Sequence, residues 1–199
     1  MYWIVLYLVA GWSGFFVMGV ELLGGRLLAP YFGSSIYVWG ALITIFMLAL
    51  SIGYLAGGRL SIHSPSLRRL GLILILAALT VSPMLFFGNN MLEAVSTAIE
   101  DPRFGSLMGS AVLFFIPTTI SGMVSPYAIR LLVEDRHTSG RNAGHLFFVS
   151  TFGSAAGTIL TSFYLVLWLE VNQILITMIA ISIALGLAAC LIPKNRRNE

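Results

Sequence analysis

Few side chains in this sequence could do chemistry. Glu21 lies inside a long apolar run, five residues before Arg26. A charge at the centre of a membrane-spanning helix costs roughly 2.5 to 3.5 kcal/mol on insertion scales, so a carboxylate there calls for a compensating partner. Three roles fit it: binding an amine or guanidine, cycling a proton, or neutralising an arginine on another helix. Arg26 itself is about 140° further round the same helix and does not share its face. Ser121, Ser125 and Tyr127 form a second group, set between Pro117 and Pro126. Proline frees a backbone carbonyl and kinks a helix, and hydroxyls can satisfy the freed groups. That combination suits either a broken helix lining a cavity or a kink without a ligand. Glu21, Ser121, Ser125 and Tyr127 are therefore the candidate substrate-binding residues.

Catalytic arrangements are missing. No Ser-His-acid set or carboxylate pair assembles from the sequence, so no catalytic residue is assigned. His63, His137 and Cys190 have no metal-ligand spacing, and no metal or cofactor is expected. His145 opens an apolar run and reads as an interfacial side chain.

The elements that must position these residues follow from composition. Of 199 residues 58% are hydrophobic and only 10% charged, with a net charge of +3; the mean hydropathy is +0.92. Soluble domains carry about 25% charged residues, and disordered chains are poor in large apolar residues. One cysteine excludes a disulfide scaffold, and the sparse positive charge makes no nucleic-acid-binding face. An all-α integral membrane protein of a single domain remains. Apolar runs long enough to span a bilayer cover residues 2–28, 37–60, 67–87, 107–132, 146–169 and 171–192. The first run lacks a basic start and a short apolar core, so it reads as a retained span. Turn residues separate the runs: Pro30 with Gly33-Ser34-Ser35, His63 to Ser66, Gly88-Asn89-Asn90, and Ser139 to Asn142. Residues 91–99 have the pattern of a short surface helix or a partly ordered loop.

Loop charges give the orientation. Arg59, Arg68 and Arg69, then Arg130, Arg136 and Arg141, then Lys194, Arg196 and Arg197 all fall on one side of a six-span chain. The rule that basic residues stay cytoplasmic then places both termini inside. Trp3, Trp39 and Trp168 fall near interfaces, as anchoring tryptophans do.

The two halves share features in order: Arg26-Leu27-Leu28 with Arg130-Leu131-Leu132, and Gly53 with Gly57 against Gly153 with Gly157. Three spans per half make the halves inverted, a mark of transporter folds; chance likeness of apolar helices is the alternative. Small residues four apart let backbones approach, so these glycines are expected to pack the second and fifth spans against each other or against a partner. Arg26, Arg130, Pro117 and Pro126 join them as structural or gating positions.

Several stretches together resemble a known family. They are Glu21 to Ser35 (with Gly24-Gly25-Arg26 and Phe32-Gly33-Ser34), Gly53-Tyr54-Leu55-Ala56-Gly57-Gly58-Arg59-Leu60, Pro126-Tyr127-Ala128-Ile129-Arg130, and Ser150 to Thr158. The chain resembles the membrane domain of fused major-facilitator-like transporter/spermidine synthase proteins. That resemblance implies half of a major-facilitator fold in the plasma (inner) membrane of a bacterial or archaeal cell, and a function linked to polyamine metabolism. The family's usual aminopropyltransferase domain has no counterpart in these 199 residues, which contain no Gly-x-Gly-x-x-Gly loop. The loop after the second span holds Ser61, Ile62 and His63 where facilitators tend to have an acid. Three functions follow as expectations. One is a half-transporter that forms a homodimer to make a pathway for a cationic polyamine or related metabolite. Another is an anchor for a separate aminopropyltransferase-like enzyme at the cytoplasmic face. The third is an embedded enzyme acting on a hydrophobic substrate.

Overall fold

The computed structural model describes residues 2–133 and 139–192. Arg136, His137, Lys194, Arg196 and Arg197, named above for orientation and metal-ligand spacing, lie outside them. The described chain is helical throughout: α1 (Tyr2–Phe32), α2 (Ile36–Leu60), α3 (Leu67–Ala98), α4 (Pro102–Gly122), α5 (Val124–Leu132), α6 (Ser139–Leu160), a π turn (Thr161–Leu165), α7 (Val166–Trp168) and α8 (Val171–Leu191). These make six spans long and apolar enough to cross a membrane, with Pro102–Leu132 the fourth and Ser139–Trp168 the fifth.

Boundaries follow from local chemistry. The first span ends on Gly33, whose φ of +79° is the left-handed conformation that closes helices cheaply at glycine; its N–H bonds the Ala29 carbonyl at 2.9 Å. Pro30 stays inside α1. Ser66 caps α3, and Asp101 caps α4 with Pro102 in the first turn.

Two expected breaks are absent and one boundary is shifted. Gly88-Asn89-Asn90 does not end the third span, because α3 continues as 32 residues to Ala98. Residues weak in helix propensity are tolerated when the flanking turns are already formed. The surface helix expected at residues 91–99 is thus the last part of α3. At about 1.5 Å per residue α3 is about 48 Å long, more than the roughly 30 Å of hydrocarbon, so its end projects beyond the apolar layer. Asp101 with Pro102 starts the fourth span five residues earlier than the apolar run does. Gly140, Arg141 and Asn142 likewise form the first turn of α6 rather than a turn before it.

Two cores fill the bundle. One gathers Phe16, Val20, Leu23, Leu42, Phe46, Phe114 and Ile174. The other gathers Leu6, Val9, Leu70, Leu74, Val124, Tyr127 and Leu146. Trp12 packs against both, and its indole N–H donates to the Ser182 hydroxyl at 2.8 Å. Burial is unequal: half of the most apolar stretch of the fourth span is buried, but only 17% of that of the fifth.

The glycine pairs of the second and fifth spans do not pack on each other. Gly53 and Gly57 of α2 lie against the Thr119 and Met123 backbone, and Gly153 and Gly157 of α6 lie against the Gly11 and Phe15 backbone. A methyl group on Gly57 would sit 2.5 Å from the Met123 carbonyl oxygen, and one on Gly157 2.6 Å from that of Phe15. Any side chain would therefore separate the helices.

Candidate functional site

Glu21 is half-buried and makes no hydrogen bond or ion pair with any described residue. Its place follows from helix spacing. At 100° per residue, Gly14, Met18, Glu21 and Gly25 share one face of α1. Gly14 meets Ser150 and Ser154 of α6, and Gly25 meets the Trp39 ring of α2. Glu21 is thus on the strip of the first span between its crossings with the fifth and the second. An arginine partner is not among the described residues.

The fourth span is irregular at one residue, Met123, which keeps helical angles (φ −65°, ψ −23°) but bonds the Ile120 carbonyl three residues back. α4 stops at Gly122, Met123 forms a turn, and α5 begins at Val124. Pro126 accounts for the irregularity, since the third helical residue of α5 cannot donate to the Gly122 carbonyl. The hydroxyls near it bond elsewhere than the sequence suggests. Ser121 donates to the Pro117 carbonyl at 2.9 Å, and Thr119 to that of Phe115 at 2.7 Å; neither reaches the carbonyls freed by the prolines. Tyr127 is fully buried and its hydroxyl accepts the Ser66 N–H at 3.2 Å, pinning the turn between the second and third spans. Ser125 is half-buried. Of the four candidate binding residues, Glu21 and Ser125 remain partly accessible, while Ser121 and Tyr127 are buried in structural hydrogen bonds. Glu21 and Ser125 lie on different helices, and no hydrogen bond among the described residues joins them.

The two arginines are exposed. Arg26 donates to the Val166 carbonyl at 3.2 Å, tying the first span to the end of the fifth. Val166 follows the π turn at Thr161–Leu165, a feature common at functional positions. Sequence reasoning missed that turn because no residue type encodes it. It also missed the cavity there, of about 570 Å³, lined by Arg26, Trp168, Glu170 and Gln173 among others. No group of His, Cys, Asp and Glu among the described residues could hold a metal.

The fold and these sites define a polytopic helical membrane protein. No protein family, curated protein or solved structure matches the chain.

Proposed function

We propose that the chain is a six-helix transport unit, built by inverted duplication and half the size of a complete carrier. It would handle a cationic metabolite of the polyamine class, with Glu21 as the carboxylate facing the path. A second copy would complete the pathway.

The observation that carries this reading is the register of the two glycine crossings. In one, Gly14 meets Ser150, Gly153 meets Gly11 and Gly157 meets Phe15. In the other, Gly122 meets Leu50, Gly53 meets Thr119 and Gly57 meets Met123. Adding 108 to each first-span number and subtracting 100 from each fifth-span number turns the first set into the second. Unrelated apolar helices have no reason to repeat three contacts at one offset. Arg26 and Arg130 correspond at a shift of 104 instead, one helical turn less. Inverted repeats with a broken helix at the interface are how carriers build mid-membrane sites. An intramembrane carboxylate without a partner suits a cation.

The test is uptake of radiolabelled spermidine by liposomes containing the purified chain. Uptake by the wild type and its loss in Glu21→Gln are expected. No uptake by a folded wild type would overturn the reading and leave the anchoring role.

A further inference from the structure

The cavity at the end of the fifth span presents an arrangement that the transport reading does not use. Arg26, Glu170 and Gln173 share its lining, yet Arg26 and Glu170 form no ion pair. Each belongs to a different element. Arg26 is held by the Val166 carbonyl at 3.2 Å. Glu170 caps α8, its N–H bonded to the Gln173 side chain at 3.1 Å in a capping box. A guanidinium carries five N–H donors and a carboxylate about four acceptor sites, so one carbonyl and one cap leave both groups with unused capacity. Trp168, 84% exposed, stands beside them, where tryptophan marks the level of lipid headgroups. Opposite charges that line one opening of about 570 Å³ without pairing suit a ligand that itself carries both charges.

We propose that this cavity binds a phosphodiester bearing a primary ammonium, the chemistry of a phosphatidylethanolamine headgroup. The phosphate bonds Arg26 through charge-assisted hydrogen bonds. The ammonium bonds Glu170 and lies against the Trp168 ring. The proposal does not depend on transport.

The experiment measures lipid retained by the purified full chain in detergent, by native mass spectrometry. Phosphatidylethanolamine and phosphatidylglycerol are supplied at equal concentration, with glycerophosphoethanolamine as a soluble competitor. The wild type is expected to retain the ethanolamine lipid about tenfold better, the size of one hydrogen bond to a charged group. Glu170→Gln is expected to abolish that preference while keeping phosphatidylglycerol retention. Arg26→Gln is expected to weaken both lipids, and Arg26→Lys to restore part of the binding. Competition by the soluble diester at equal concentration would assign the site to a free metabolite of the same chemistry; its failure to compete assigns the site to lipid. Equal retention of the two lipids by the wild type, or a preference unchanged in Glu170→Gln, would overturn the proposal. Thermal melting of each variant separates lost binding from lost folding.

Discussion

The second and fifth spans use the same device in different surroundings. Each presents two glycines four apart to the backbone of a neighbour, in the same register. The second span docks on the fourth, a well-buried helix in the bundle. The fifth docks mainly on the first, and most of its remaining surface is exposed: Phe147, Phe148, Phe152 and Phe163 are all more than half accessible. Close backbone approach thus fixes where a span crosses, but the rest of its surface decides how tightly it is held. In a bilayer the exposed phenylalanines meet lipid. Helix association there rests on packing rather than on water exclusion, and a span with one main neighbour has little else to restrain it.

The largest expected effect comes from blocking a crossing. Gly53→Leu drives a side chain into the Thr119 backbone and should cost about 3 kcal/mol or more, lowering the melting temperature in detergent by roughly 6 to 12 °C. Gly153→Leu should cost less, because the fifth span can move outward. Equal losses would break the comparison and show that the fifth span is held as firmly as the second.

Next is the link between the two cores. Ser182→Ala leaves the Trp12 indole N–H without its partner in a part-buried position, a loss of about 1 to 3 kcal/mol measurable by the same melting curve. Tyr127→Phe removes the hydroxyl that accepts the Ser66 N–H and should cost about 1 kcal/mol. It should also speed thiol labelling of a cysteine placed at Ser64, in the turn that this bond pins. Unchanged labelling would mean that the turn is held by Pro65 and the Ser66 cap alone. The smallest stability effect is expected for Glu21→Gln. Neutralising an unpartnered carboxylate removes a desolvation cost, so the melting temperature should hold or rise while spermidine uptake is lost. A clear fall in melting temperature would reveal a hidden ion pair and remove Glu21 from the transport path.

Some of this was legible in the residues. Six apolar runs became six spans because length and hydropathy alone decide whether a helix can cross a bilayer. The irregularity in the fourth span follows from Pro126, whose ring denies a bond whatever surrounds it. Misreadings came at positions where local preference is weak. Gly88-Asn89-Asn90 carries the composition of a turn, but nothing in it forbids a helix that the preceding turns have already nucleated. Ser121 and Tyr127 are polar, and polarity does not say whether a hydroxyl meets a ligand or a backbone group. The cavity at Arg26 gave no signal, since its lining comes from Arg26, residues 167–171 and Gln173, brought together only by the crossing of the first and fifth spans.

The sequence by itself determined the membrane class, the number of spans, the glycine pairs and the isolation of Glu21 among apolar residues. These are properties of one segment at a time, governed by hydration and backbone chemistry. Only the tertiary structure decided which helix each glycine pair meets, that Tyr127 is buried on Ser66, and that Arg26 and Glu170 line one cavity without pairing. Those outcomes depend on shape complementarity between helices distant in the chain, and the apolar pattern of any one span is compatible with many neighbours.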